Sequence, residues 1–600
     1  MEFSVFSTYL QRLESTTKRL EITAILAEML KELELLETDK AVYLSLGQLG
    51  PQFAQIDFAL AEKMMLRILA AAFVTKEEEV QKLYDKIGDI GTVAEELANK
   101  TTRVSGQKKK GGSITILYVY EHLLEIALIS GTGSQEKKVS KFAELISKLD
   151  PLSVRYVTRI PTKNTRLGFS DVTIIEALSW METGGKSLKA EIESYFHVYP
   201  DIGKIAKLFK EGQINGLKKV RLEVGVPILP QLCQRVSTAE EAIEKLGGQA
   251  GVEIKYDGTR VQLHMDKKRM VEMGDSDQLT FFDNKKKMPY VRSFTRNLEE
   301  STNMFPDLVK AAIEQIDADS VILDGEAVGY DPKTQKMIPF QETSQRKRKH
   351  GIMEKVSEIP LRYFVFDLLY LNGKPLLDLS FNERREKLKK IVRKGETIVV
   401  DEQRIVEDPE ELLEFFNEIK GQGLEGVVMK KLDSKYEAGG RGYSWVKFKR
   451  EETGGLEDTI DGVILGYYLG KGNRAKFGIG GFLVGLFDPQ KDAFTTVCKV
   501  GSGPTEEEWQ EIKKRVDKIK TKEKPANLEI DKTLVPDVWS KPEIIVVIRA
   551  DEITVSEVHT AGYALRFPRL MAFREDKSAT DSTTPKEIKR LFEIQQNKRK

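Results

Sequence analysis

Cysteine is almost absent: Cys233 and Cys498 are the only two in 600 residues, and they lie far apart. That excludes a disulfide framework and any zinc site built on four cysteines. No apolar run reaches the ~20 residues that a membrane span needs, so no membrane contact is expected. The N-terminal "MEFSVFSTYLQRLESTTKRL" carries acids and lacks an apolar run followed by a small-residue cleavage site. No signal peptide is predicted, and the expected location is inside the cell, cytoplasmic if the cell is prokaryotic. Net charge is nearly missing as well, with 94 Lys and Arg against 93 Asp and Glu. Nucleic-acid binding would therefore have to come from local patches. Three such patches exist, "SGQKKKGG" at 105–112, "QRKRKHG" at 345–351 and the C-terminal "QQNKRK", and each taken alone reads first as a solvated charged loop. No fixed repeat period is present, which argues against a solenoid.

What is present points to several domains. A chain of 600 residues, at roughly 100–200 residues per domain, predicts three to five units. The first part is helical in pattern. Phe6, Tyr9, Leu10 and Leu13 recur at helical spacing, and "TVAEELANK", "SITILYVYEHLLEIALIS" and "KVSKFAELISKL" continue it. Asp150 followed by Pro151 predicts an N-cap with proline at the first helical position. Composition changes at "KKVRLEVGVPILPQLCQRV", where Pro227 and Pro230 favour extended chain. Beyond it lie β-rich runs such as "VEIKYDGTRVQLH", "SVILDGEAVGY" and "LRYFVFDLLYLNG". After "REETGGLED" at 450–458, short strands follow at the spacing of a small barrel. The predicted order is an all-α domain over 1–222, an α/β domain over 223–450 and a β-barrel over 451–600.

The chemistry centres on "GVEIKYDGTRVQLH", a strand pattern whose middle holds Lys255, Asp257, Gly258 and Arg260. A lysine beside acids on a strand is ordinarily a surface ion-pair partner. Its ordered company argues otherwise: "SFTRNLEE" with Arg296, "LDGEAVGY" with Glu326, "RYFVFDLLYLNG" with Phe366, "GLEGVVMKK" with Glu425 and Lys430, "RGYSWVKFK" with Arg441, Lys447 and Lys449, and "LRFPRLMAFREDK" with Arg566 and Arg569. Glu326 and Glu425 end or follow apolar strands, where an unpaired carboxylate is costly. They read either as buried salt bridges or turn caps, or as hard-oxygen ligands for Mg²⁺.

This ordered set resembles the ATP-dependent DNA ligases of the archaeal and eukaryotic replicative type. The resemblance extends to "GTGSQEKK" at 131–138 and to the helical "NTRLGFSDVTIIEAL". It implies an all-α DNA-binding domain, a nucleotidyltransferase domain and a C-terminal OB-fold. It also implies that Lys255 becomes adenylylated. Glu253 would then receive the adenine amino group and Phe366 stack on the base. Arg260, Arg296 and Arg441 would surround ribose and phosphates, and Lys447 and Lys449 would supply positive field at the α-phosphate. Glu326 and Glu425 would hold the metal, with Glu326 also reaching the ribose. Arg569 of "RFPR" would act on pyrophosphate, with a hinge in "REETGGLED". ATP and Mg²⁺ are the implied cofactors, nicked duplex DNA the substrate, a sliding clamp a further partner, and the chain a monomer. The NAD-dependent ligases carry a cysteine zinc finger, which two cysteines cannot build.

Residue types fit that chemistry. Attack on phosphorus requires a neutral amine, so cationic neighbours and partial burial are expected around Lys255. Phosphate contacts for DNA are expected from "SGQKKKGG", from Lys137 and Lys138, and from "TKNTRLG". The chain between Lys255 and Thr295 is longer than the family usually allows, and Thr295 stands in "FTRN" where serine is more common. The excess is read as a surface hairpin turning at Asp283 and Asn284. An RNA ligase or capping-type guanylyltransferase is the alternative reading. A non-catalytic DNA-binding relative would be expected to have lost Lys255, Glu425 or Lys447.

Overall fold

The computed structural model describes the chain except residues 17, 106–113, 164, 237, 273–286, 335, 339–342, 344–357, 423, 450–458, 471–477, 522, 576 and 598–600. The proposed hairpin turn, the "QRKRKHG" cluster, the "REETGGLED" hinge and most of "SGQKKKGG" lie outside the described residues, as does the end of "QQNKRK". By its contacts the chain divides into two compact units. One comprises Met1–Tyr9, Thr23–Lys163 and Asp171–Arg450; the other comprises Leu10–Ile22, Asn164–Ser170 and Glu451–Lys600. The predicted helical and α/β regions thus fall largely in one unit.

Twelve α-helices run between Phe3 and Leu217 among the described residues. The first, Phe3–Glu14, buries Phe6, Tyr9, Leu10 and Leu13, the stripe that the 3.6-residue period dictates. Asp150 caps Pro151–Arg159 by accepting from the Leu152 and Ser153 amides, both at 3.1 Å. Lys138 corrects one expectation: it is buried and donates to the Phe58 carbonyl at 2.7 Å, so it is not open to DNA phosphate, whereas Lys137 is exposed.

Two sheets follow in the same unit. The strands are β1 Gln234–Arg235, β2 Ala250–Lys255, β3 Thr259–Glu272, β4 Lys287–Thr295, β5 Ser320–Gly329, β6 Leu361–Leu371, β7 Lys374–Pro375, β8 Ile398–Val400, β9 Gln403–Val406, β10 Gly426–Lys430 and β11 Trp445–Lys449. One sheet has the order β1-β11-β10-β2-β9; the other runs β4-β3-β5-β6-β7, with β8 alongside β6. Alternation sorts each strand. Val252, Val427, Met429, Val446 and Phe448 pack against helices Ala239–Leu246 and Pro409–Gly421. In the other sheet Val261, Leu263, Leu323 and Ala327 pack with residues of helices Pro306–Gln315 and Phe381–Ile391. The alternate residues of both sheets are left for the site.

The second unit is β-rich. Ile460–Tyr468, Gly481–Asp488 and Ala493–Val500 pair antiparallel in succession, and Ile545–Arg549 joins Ile460–Tyr468 to Arg569–Arg574. Register shifts at Ile464/Gly466 and Val484/Gly485 mark bulges, the device by which a small sheet bends. Helix Glu506–Lys518 starts at a reciprocal Thr505/Glu508 capping box and buries Trp509.

Candidate active site

Strand pairing, not sequence proximity, assembles the site. Lys255 lies opposite Gly426, which in turn lies opposite Lys449; one step of two residues away, Glu253 lies opposite Val428, and Val428 opposite Lys447. The period of two puts Glu253 and Lys255 on the face that Val252 does not use. Register therefore sets the two-residue spacing in "EIK" against the one ending at Lys447 in "WVKFK". Gly258, in the turn to β3, sits where a Cβ would lie 2.6 Å from the Ala327 carbonyl oxygen. Only glycine lets the turn pass that close to β5, which gives the "DG" of the motif a steric cause.

A cavity of about 420 Å³ opens on this face. Its lining includes nine of the eleven residues given a catalytic, nucleotide or metal role above: Glu253, Lys255, Arg260, Arg296, Glu326, Phe366, Glu425, Arg441 and Lys447. Val261 pairs with Thr295, so the end of β4 delivers Arg296 to the rim despite the long excursion before it. Lys449 has its backbone opposite Gly426, and its side chain lies outside the described residues. Arg569 belongs to the second unit, where it is exposed and ion-paired to Asp551 at 3.3 Å.

The electrostatics differ in part from expectation. Lys255 donates to the Glu425 carboxylate in a short ion pair, so its hydrogen-bonded partner is an anion rather than a cation. Cations do converge nearby: Arg260, Lys430, Lys447 and Lys255 all act on the Cys233 thiol, although burial outweighs them and pushes that thiol up. Burial pushes the Glu326 carboxyl up to about 7, against the pull of Lys255 and Arg260. Glu326 faces Arg260 across the β3–β5 pair.

Three buried networks hold the walls, and sequence reasoning did not assign them. Arg260 grips Asp324 through two bonds of 3.0 and 2.7 Å and donates to the Gln231 carbonyl at 2.6 Å. The Tyr436 hydroxyl donates to Asp324 at 2.9 Å and accepts from the Gln231 amide at 3.0 Å. Arg260 lines the cavity, yet much of its donor capacity is already committed. Glu253 is ion-paired to Lys430 at 2.6 Å and Arg385 at 2.8 Å. Burial drives the Glu253 carboxyl up, and those two cations oppose the rise. The Lys430 ammonium lies 4.3 Å from the Phe366 ring centroid and 4.2 Å from that of Trp445, which meets Phe366 edge-on. Deeper still, Arg384 and Asp367 form a two-bond pair of 2.7 and 2.9 Å. A signal for Asp324 and Asp367 was available: each interrupts an apolar run, "VILDG" and "VFDLL", where a buried carboxylate demands a partner.

Comparison with known proteins agrees along the chain. Residues 2–179 match "DNA ligase N terminus", residues 230–273 and 284–449 match "ATP dependent DNA ligase domain", and residues 475–577 match "ATP dependent DNA ligase C terminal region". A protein of Dictyoglomus turgidum named "Probable DNA ligase" is 42% identical over 607 residues, covering 100% of this chain and 99% of its own length. The "DNA ligase" of Sulfolobus acidocaldarius is 35% identical over 615 residues, with 100% and 99% covered. Among solved structures, "Pmar-Lig_PreS3" superposes with a TM-score of 0.51 at 17% identity, covering 95% of this chain and 99% of that one. At that identity the likeness speaks for the fold alone.

Proposed function

The chain belongs to the ATP-dependent DNA ligases, and from that premise we propose that Lys255 is the amine that carries AMP from ATP to a nick in duplex DNA. Nick sealing with ATP is the activity of the family. The roles of individual residues are our reading, and the observation that carries it is the meeting at one cavity of Lys255 from the end of β2, Glu326 from within β5 and Glu425 from just ahead of β10.

The reaction has three displacements. The Lys255 Nζ attacks the α-phosphorus, a P–N bond forms, and the bond to pyrophosphate breaks. The 5′-phosphate of the nick then attacks the same phosphorus, taking AMP and returning the lysine. Finally the 3′-hydroxyl attacks the 5′-phosphate, and AMP leaves. Before the first attack Nζ must shed a proton, and Glu425, already hydrogen-bonded to it, is the nearest acceptor. Lys447 shares the sheet face of Lys255, where it can offset charge building on the phosphate. Arg296 and Arg441, exposed at the rim, are our choice for ribose and phosphate contacts, and Phe366 for the base.

The carboxylates of Glu326 and Glu425 fit Mg²⁺. Among the described residues no three acidic, histidine or cysteine side chains cluster as a ligand set. Mg²⁺ commonly uses one or two carboxylates and completes its shell with water and substrate phosphate. Bound there, the ion would neutralise phosphate charge.

We further propose domain limits of 1–222, 223–450 and 451–600, a monomeric intracellular enzyme, pyrophosphate contact by Arg569, and a sliding clamp as a partner. The match of residues 2–179 to DNA ligases supports DNA over an RNA-ligase or guanylyltransferase reading. The deciding experiment is incubation with α-labelled ATP and Mg²⁺. Label should survive denaturation of the wild type and vanish in Lys255→Ala; an undiminished adduct on the variant would remove Lys255 from its role.

A further inference from the structure

The loop before β11, "EAGGRGYS", carries Arg441 to the cavity rim on a backbone with glycine at 439, 440 and 442. So much glycine leaves the loop free unless something holds it, because glycine loses more conformational entropy on ordering than any other residue. Two holders are visible. The first is the strap of chain through Leu229–Gln234. The Gln231 side chain accepts from the Glu437 amide at 2.9 Å and donates to Ser444 Oγ at 3.2 Å. The Leu232 amide donates to the Gly440 carbonyl at 2.9 Å, and Gln234 to the Arg441 carbonyl at 3.3 Å.

The second holder comes from the helical region. Helix Lys189–Val198 carries His197 in its last turn, whose carbonyl accepts from the Leu229 amide at 2.9 Å, and the Leu229 carbonyl accepts from the Gly439 amide at 3.0 Å. The imidazole packs against Gly439 so closely that a Cβ there would lie 2.8 Å from His197 Cγ. Gly439 has φ +66, so both its conformation and its neighbour require glycine. The acidic group near the ring, Glu193, is 3.9 Å away on the same helix.

We propose that His197 is a positioning residue for ATP: by packing on Gly439, and through the Leu229 bridge from its carbonyl to the Gly439 amide, it fixes the loop that presents Arg441 to the nucleotide. The helical region, matched to the DNA ligase N terminus at residues 2–179, thereby takes part just beyond that stretch in the step that precedes DNA. The inference rests on the reading of Arg441 as a nucleotide contact.

The test uses the full chain and no DNA, following self-adenylylation against ATP concentration in His197→Ala, Arg441→Ala and the double variant. Small misplacements of a binding group are costly, so His197→Ala should raise KM for ATP about tenfold while kcat changes less than about twofold. A purely structural defect would instead lower the active fraction, and with it kcat, at unchanged KM. Because His197 acts through Arg441, the double variant should be no worse than Arg441→Ala alone. His197→Phe, which keeps a ring against Gly439, should recover most of the loss. If His197→Ala fails to fold, Gly439→Ala perturbs the same contact from the other side and should raise KM likewise. A raised KM in Arg441→Ala with a normal KM in both His197→Ala and Gly439→Ala would overturn the inference, as would additive effects in the double variant. A normal KM in Arg441→Ala would instead overturn the reading of Arg441 on which it rests.

Discussion

Replacing Glu253 by Gln removes one charge from a buried group of three. The carboxylate is 1% exposed, Lys430 1% and Arg385 3%, and each cation contacts a different oxygen. Removing one partner from a buried ion pair costs about 3–5 kcal/mol, because the charge left behind is uncompensated. Lys430 keeps the faces of Phe366, Phe381 and Trp445 at 4.2 to 4.6 Å, and cation–π attraction of ~2 kcal/mol when desolvated offsets part of that loss. Arg385 keeps the Asp401 carbonyl. The cost therefore belongs near the lower limit, about 3 kcal/mol. At roughly 2–4 °C per kcal/mol for a domain of this size class, calorimetry should show a melting transition lowered by roughly 6–12 °C. Adding Lys430→Met should restore part of it, since it removes one of the two buried cations that lost Glu253, while Arg385 keeps only the Asp401 carbonyl. Below the new transition the Lys255 adduct should still form at saturating ATP. A shift under about 2 °C, or a double variant as unstable as the sum of its parts, would refute the view that charge balance rather than packing holds this wall.

Other outcomes follow from the same geometry. Arg569→Ala should cripple self-adenylylation far more than sealing of a nick already carrying AMP; equal losses would give Arg569 another role. A chain beginning near Val224 should still label Lys255 but with a raised ATP requirement, having lost His197, and should seal nicks poorly; full sealing at physiological salt would mean the helical region is not the DNA grip. DNA affinity of the intact chain should fall steeply with salt, measured as the slope of log K against log salt, through counterion release. Burial lowers His264 to about 3, and its ring accepts the Gly225 amide at 3.0 Å. The unfolded chain then binds the extra proton between pH 6.5 and 3, so stability present above 6.5 should fall by about 1.4 kcal/mol per unit as pH drops through that window. His264→Asn should flatten that slope in denaturation curves.

Local periodicity made the helices, the Asp150 cap and the alternating strands legible, because each depends on neighbours a few residues away. Lys255, Glu425 and Lys447, which line one cavity, could be singled out for another reason: they stand in the ordered motifs that carry the resemblance to DNA ligases. Partnerships across distance were not. The Arg260–Asp324 and Arg385–Glu253 pairs join residues 64 and 132 positions apart, and nothing local marks who meets whom. Lys255 shows the limit most clearly. Its strand and its motif neighbours were readable, but the anion beside it depends on the β2–β10 register that sets Lys255 opposite Gly426, next to Glu425. Lys138 misled in the opposite direction, since a lysine in a polar stretch gives no warning that its ammonium will cap a distant carbonyl.

The strap through Leu229–Gln234 also limits how this enzyme could be divided into two co-expressed fragments. A break inside it would separate Gln231 from Leu229 or Gln234 and release the Arg441 loop on one side. Reassembly would then have to rebuild a wall of the cavity, not merely dock two folded pieces. A break ahead of Val224 leaves the whole strap on the catalytic fragment, and only the His197 contacts need to be regained. Complementation between fragments should accordingly succeed at the earlier cut and fail at the later one, although the two sites lie only a few residues apart.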